Sequence, residues 1–240
     1  MTTFTLLDSK VHLHNKKPYP SEDAIWLASA VKADEGDHLL EAGVGNGAAS
    51  LCLLHRMNDI SITGIDCQEP LTKQANKNAK LNNIPSHQFK AIHNHVHEHE
   101  PETPYNHIFS NPPFHRRDHG FESQDAKCML AYGANSTEIT NWVEQLLNML
   151  EEGGSLTLIH HQRNAEEILK LFSNFNVEII YLGTSYHKPC KRLIIRCVKK
   201  DEAQPHITKF RLDTRDHYVR DQILSHGKSI WKYCRAAPIV

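Results

Sequence analysis

Residues 110–120 read SNPPFHRRDHG, and four of them, Asn111, Pro112, Pro113 and Phe114, could do chemistry as a unit. Two successive prolines remove two backbone donors and hold the chain extended, so the segment is at least a stiff exit turn from a strand. The same stiffness would also fix an amide oxygen, a bare carbonyl and an aromatic face in one place. An exocyclic amine on a base is a poor nucleophile because its lone pair is delocalised into the ring. Two acceptors that take its two N–H bonds favour a pyramidal nitrogen whose lone pair can attack. The side-chain oxygen of Asn111 is one such acceptor and the Pro112 carbonyl the other. Phe114 offers a stacking face for a base turned out of its stack. Such a site needs no general base before transfer, and positioning would supply most of the rate.

A second chemical segment lies upstream, EAGVGNGAAS at 41–50, between a strand and a helix. Glycines there let backbone N–H groups approach a ligand at a helix N-terminus. Gly43, Gly45 and Ala48 satisfy the dinucleotide spacing, which permits a nicotinamide-dependent dehydrogenase. Gly43, Gly45 and Gly47 equally give an acid-x-G-x-G-x-G pattern that resembles S-adenosylmethionine-dependent methyltransferases. Glu41 favours the second pattern, because a carboxylate facing a pyrophosphate would repel it but can meet an ammonium group. Asp66, at the end of the next strand, suits ribose hydroxyls in either case.

The elements that must position these residues alternate from residue 21 onward. SEDAIWLASAVKA reads as a helix with Ser21 as N-cap. HLLEA is a strand, AASLCLLHRM a helix, ISITGID a strand and LTKQANKNAKLNN a polar-faced helix. HQFKAIH and YNHIFS are the third and fourth strands. Ile139, Trp142, Val143, Leu146, Leu147 and Leu150 recur at helical spacing, with Gly153 and Gly154 expected to end that helix. SLTLIHH is a fifth strand, NAEEILKLFSNF a helix with Asn164 and Glu167 close to a capping box, and VEIIYL and RLIIRCV the last strong strands. This alternation predicts an α/β fold with a mostly parallel sheet and helices on both faces. The turn at 111–114 then falls at the carboxyl edge of the fourth strand, where ligands collect in open α/β sheets.

The 240 residues, 40% of them hydrophobic, suffice for one large domain with a sizeable core. No apolar run approaches the ~20 residues of a membrane span, and the N-terminus carries no secretory pattern. The six cysteines include no C-x-x-C pair, which predicts reduced thiols and a cytoplasmic location. Net charge is -1, so a nucleic-acid partner would be held by local patches. Histidine is abundant at 18 residues. His93, His95, His97 and His99 alternate in HNHVHEHE, but the neighbouring acids are not spaced as a ligand set, and the stretch reads as a polar loop with no metal.

Taken together, these motifs resemble the amino-group methyltransferases, which carry a (D/N/S)-P-P-(Y/F/W) tetrapeptide after an acid-x-G-x-G-x-G loop and act on adenine, cytosine, guanine or glutamine amides. Through YPSEDAIWLASAV, EAGVGNGAASLCLL, IFSNPPF, GGSLTLIHHQRNAEEIL and KPCKRLIIRCVK the chain is similar to the bacterial tRNA adenine-N6 methyltransferases that modify the adenine beside the anticodon of a valine tRNA. The resemblance covers most of 19–200. It implies a Rossmann-like class I methyltransferase fold of seven strands at 1–200, with a C-terminal tail at 201–240 packed on or beside it. It also implies S-adenosylmethionine as cofactor and an RNA substrate. Asn111, Pro112, Pro113 and Phe114 correspond to the catalytic tetrapeptide. Glu41, Gly43, Gly45, Asn46 and Gly47 correspond to the cofactor loop, and Asp66 with Cys67 to the ribose end. Tyr19 and Asp23 fall over the methionine end, and Asn94 and Asn111 complete the cofactor set. Two positions depart from the pattern: Pro20 stands where many relatives have arginine, and His93-Asn94 where they often have Gly-Asp. Arg116, Arg117, Lys188, Lys191 and Arg192 are candidates for RNA phosphates, whereas Lys199, Lys200, Lys209 and Arg211 read as solvated. Guanine-N2 methylation of ribosomal RNA, methylation of a protein glutamine, and a non-catalytic RNA-binding module are the alternative functions.

Overall fold

The computed structural model describes residues 3–112, 137–183, 190–200 and 204–237. The sheet is built from β3 (His38–Ala42), β4 (Ser61–Asp66), β5 (Phe89–His93), β6 (Tyr105–Ser110), β7 (Leu150–His161), β8 (Asn176–Gly183) and β9 (Arg192–Val198). These are the seven strands expected. Two more, β10 (Ile207–Asp213) and the short β11 (Arg235–Ala236), bring the sheet to nine. They come from the C-terminal segment, where β10 pairs in parallel with β8. The order is β11-β10-β8-β9-β7-β6-β3-β4-β5, with β9 antiparallel to both neighbours and β11 antiparallel to β10.

Alternation along the strands splits the core into two layers, as a sheet covered on both faces requires. Leu39, Phe109, Ile159 and Ile194 pack on one face with Leu27, Leu51 and Leu53. Leu40, Ile108, Leu158 and Ile195 pack on the other with Val143, Leu146, Ile168 and Phe172. The helices α1 (Glu22–Ala30), α2 (Ala48–Arg56) and α3 (Glu69–Leu81) belong to the first layer, and α4 (Thr137–Asn148) and α5 (Ala165–Leu171) to the second. The Gly153-Gly154 pair does not end α4. That helix stops at Asn148, and β7 begins at Leu150 with a bulge that carries register from Tyr105↔Leu150 to His107↔Ser155. Gly153 takes φ +84 there and donates its N–H to the Lys199 carbonyl at 2.7 Å. A bulge needs that left-handed residue as much as a helix end does.

The sequence pattern from 21 onward passes over an N-terminal hairpin, β1 (Thr3–Leu6) and β2 (Val11–His14). Its turn places Leu7, Asp8 and Ser9 at φ 50, 52 and 64, without a glycine to announce it. The hairpin is fastened to α3 at four-residue intervals. Asn82 Oδ1 accepts the His12 N–H at 2.8 Å, Asn78 Oδ1 accepts the His14 N–H at 2.9 Å, and Gln74 Nε2 donates to the Lys16 carbonyl at 3.4 Å. Among the described residues no helix is long and apolar enough to cross a membrane.

Candidate active site

Strand order reverses between β3 and β6, which run side by side with Ala42 opposite Ser110. At such a switch point the loops leaving two adjacent strands diverge and open a crevice at their carboxyl ends. The loop after β3 is the glycine loop and the residue after β6 is Asn111. Ser110 Oγ donates to the Ala42 carbonyl at 2.7 Å and ties the two strand ends together.

Gly43 and Gly45 take φ +76 and +53, and a Cβ on either would meet nothing within 4 Å. Their surfaces therefore face open space, as a ligand cradle must. Gly47 differs: a Cβ there would come within 3.2 Å of the Ala75 Cβ, so its smallness serves packing of the loop against α3. Gly64 on β4 serves the same loop, because a Cβ would lie 2.6 Å from Val44.

Glu41 is buried at the end of β3, and its Oε2 accepts the Ser50 N–H at 3.0 Å and the Ser50 hydroxyl. Burial pushes its carboxyl up to about 8, opposed by the two Ser50 hydrogen bonds and reinforced by the charge of Asp66. Ser50, in the first turn of α2, is a site residue the sequence reading missed; its only signal is a hydroxyl nine positions after the acid.

Asp66 is also buried. Its Oδ2 accepts the Gly45 N–H and its Oδ1 the Gln68 N–H, both at 2.9 Å. The carboxylate thus shapes the glycine loop from across the β3–β4 boundary. Asn46 is buried as well. It donates to the Pro18 carbonyl at 3.0 Å, and its own carbonyl accepts from Asn78 at 2.8 Å, so the N-terminal strap and α3 both hold the loop. Asn94 lies at the same edge, its N–H donating to the Asp66 carbonyl at 3.1 Å and its Oδ1 accepting the His95 N–H.

The alternating histidines do not form one face of a strand. β5 ends at His93 and a 3-10 turn covers 96–98. His93 Nε2 pairs with the Cys67 carbonyl at 3.0 Å and His99 Nε2 with the Tyr105 hydroxyl at 2.8 Å. Among the described residues no group of three or more His, Cys, Asp or Glu is placed to hold a metal. Cys52, Cys190, Cys197 and Cys234 have free thiols, as expected, whereas Cys67 is disulfide-bonded, against the expectation of reduced thiols throughout.

On the β6 side, Pro112 is buried and the Oδ1 of Asn111 is buried with no hydrogen-bond partner. A buried amide oxygen left without a donor is disfavoured by about 1–3 kcal/mol, which marks Asn111 as a candidate acceptor for a ligand. Pro113, Phe114, Arg116, Arg117 and Lys188 lie outside the described residues. Lys191 is exposed. Arg192 Nε donates to Asp23 Oδ2 at 3.0 Å, which brings together one residue expected at the cofactor and one expected at RNA. Tyr19 is exposed and stacks on Phe4 with ring centroids 6.3 Å apart. His160, buried at the end of β7, is pushed down to about 4 chiefly by burial, with the neighbouring Arg192 and Arg163 charges adding.

The donor set fits a ligand that carries ribose hydroxyls and an ammonium group: two buried carboxylates beside an open glycine cradle. Comparison with known proteins agrees. The methyltransferase small domain model matches residues 23–180. A tRNA1(Val) (adenine(37)-N6)-methyltransferase of Christiangramia forsetii is 26% identical over 194 residues, 77% of this chain and 79% of the relative. A candidate protein N5-glutamine methyltransferase of Methanocaldococcus jannaschii is 27% identical over 161 residues, 66% of this chain and 79% of the relative. Among solved structures, a predicted O-methyltransferase from Agrobacterium tumefaciens superposes with TM-score 0.64 at 18% identity, covering 90% of this chain and 99% of that one. An S-adenosylmethionine-dependent O-methyltransferase from Thermotoga maritima gives TM-score 0.56 at 15% identity, covering 79% and 69%. The last two establish the shared fold.

Proposed function

For a chain that belongs to the methyltransferase small domain family and is an S-adenosylmethionine-dependent methyltransferase, we propose that the accepting atom is an exocyclic amine of a nucleobase in RNA, adenine N6 in tRNA near the anticodon. The observation that carries this reading is the buried, unpartnered Oδ1 of Asn111 at the switch point. It offers an acceptor to one N–H of a planar amine, and the Pro112 carbonyl follows it on a constrained backbone. S-adenosylmethionine supplies, when bound, a methyl on a positively charged sulfur. Gly43 and Gly45 would seat it against bare backbone, Asp66 would face its ribose and Glu41 its ammonium group.

The chain's own contribution to transfer is alignment. Asn111 and Pro112 would hold the amine with its lone pair turned toward the methyl donor, and the nitrogen, once methylated, would release its proton to water. The relative from Christiangramia forsetii, named for tRNA adenine, supports the choice of substrate. The Methanocaldococcus jannaschii relative, named for protein glutamine, supports a second reading, because an amide NH2 presents the same two donors to Asn111 and Pro112.

Transfer of labelled methyl to total tRNA from a strain lacking the gene, followed by mass spectrometry of the nucleosides, tests the proposal. N6-methyladenosine formed by wild type and not by Asn111→Ala is the expected result. Label in ribosomal RNA or in a protein band would overturn the tRNA assignment.

A further inference from the structure

Acidic residues are missing from two neighbouring stretches of this chain. None occurs between Asp8 and Glu22, or between Glu69 and Glu98, although the net charge of the whole is -1. The fold brings these two stretches together, because Gln74, Asn78 and Asn82 on α3 bond the backbone of residues 16, 14 and 12. That contact uses one face of α3. At about 100° per residue, Lys73, Lys77 and Lys80 fall within an arc of about 60° on a different face. All three are exposed.

The lysine row is flanked on both sides by more positive charge. Lys16 and Lys17 are exposed on the strap that Gln74 holds. On the other flank, Asn76 pairs with both the N–H and the carbonyl of Ala91, and Lys90 beside it is exposed on the edge strand β5. Glu69 is the one acid at the track, paired with Lys73 at 2.9 Å. The track also leads to the site. Asn46 in the glycine loop donates to the Pro18 carbonyl, and α3 starts just after Asp66.

We propose that the exposed face of α3, together with the strap at 16–17 and Lys90, binds the phosphate backbone of the RNA that carries the target base. The inference rests on the RNA reading of the active site and extends it to a surface away from the Asn-Pro-Pro-Phe turn. The 13 residues of α3 span about 20 Å, enough to follow several nucleotides. Lysines serve here as point charges on a polyanion, giving affinity and orientation without sequence preference. Lysines at helical spacing with a single acid among them, beside the candidate crevice, match that ligand.

The test compares wild type with Lys73→Glu/Lys77→Glu/Lys80→Glu and with the milder triple Lys→Gln variant. The assay is methyl transfer to total tRNA from a strain lacking the gene, at several salt concentrations. Expected are a rise in KM for tRNA of about 10–100-fold for the glutamate variant, a smaller rise for the glutamine variant, and a salt slope shallower by about 2–3. The kcat, the melting temperature and calorimetric binding of S-adenosylhomocysteine should match wild type. An unchanged KM and salt slope in a wild type that methylates tRNA would overturn the track and leave the active-site reading standing. Methyl entering a protein and no RNA would overturn the active-site reading, and the track with it.

Discussion

On the β3–β4 side of the crevice Glu41, Asp66 and Asn46 are buried and already bonded to the protein, whereas across it, at the end of β6, Asn111 keeps a buried oxygen with no donor. The first half is preorganised: its carboxylates shape the glycine loop through Ser50 and Gly45 before any ligand arrives. The second half leaves one hydrogen bond unmade, which on the proposed function an amine would supply. The difference shows where binding energy can be directed. On the proposed function, interactions already satisfied would hold the cofactor loop in shape, while an acceptor satisfied only by the target would align the reacting nitrogen.

The largest expected effect comes from erasing that difference. Asn111→Ala should lower single-turnover methyl transfer by about 10²–10³-fold, the scale of losing one transition-state hydrogen-bond partner. Its melting temperature should stay level or rise, because the lost oxygen had no partner to strand. Calorimetric binding of S-adenosylhomocysteine should change little. A variant that keeps full activity would end the assignment of Asn111.

Glu41→Gln probes the opposite half. With its folded pKa raised to about 8 from the ordinary 4.5, Glu41 binds its proton more tightly in the folded chain than in the unfolded one. Its contribution to stability is therefore complete below the unfolded value and is lost as pH rises through 8. The difference in stability between Glu41→Gln and wild type should grow in favour of the variant from pH 5 to pH 8, by up to about 3 kcal/mol, as read by urea denaturation at each pH. Cofactor affinity should move the other way, because glutamine cannot balance an ammonium charge. Stability curves that stay parallel across that range would show that Glu41 is ionised throughout.

The preorganised half was legible in the sequence and its bonding was not. Glycines between a strand and a helix, an acid two residues earlier and another at the next strand end are features of type and spacing, and the fold places all of them at one edge. That Asp66 is spent on Gly45 and Gln68 depends on side-chain direction, which spacing does not encode. The hairpin escaped for a related reason. Its strands have four residues each, and its turn uses Leu7, Asp8 and Ser9 at positive φ where glycine would have marked it. The polar face of α3 was visible, but not that Asn78 and Asn82 spend it on backbone groups 64 and 70 residues away. In the C-terminal segment, β10 is mostly half-buried, so its alternation is weak until β8 is there to pair with it.

Asn78→Ala tests whether the preorganised half depends on that distant fastening. Asn78 is fully buried, accepting from the His14 N–H and donating to the Asn46 carbonyl. Its loss leaves both groups without their partner, so stability should fall by about 2 kcal/mol. Hydrogen exchange should speed at residues 11–14 and at the glycine loop together. Faster exchange in the hairpin alone would mean that the loop holds its shape without the strap.

The smallest effect decides to which half Arg192 belongs. Its pair with Asp23 is partly exposed, with side chains 33% and 18% accessible, so Arg192→Gln should change stability by less than about 1 kcal/mol. The binding constants carry the information. If the pair holds Asp23 over the cofactor, Arg192→Gln and Asp23→Asn should each weaken S-adenosylhomocysteine binding by a few-fold. The double variant should then be no weaker than either, the signature of two residues acting as one unit. If Arg192 instead contacts RNA phosphate, cofactor affinity should hold and KM for tRNA should rise with a shallower salt slope. The first outcome would group Arg192 with the bonded residues that serve the cofactor, although it stands on β9 beyond β6, and leave Asn111 as the acceptor proposed for the substrate.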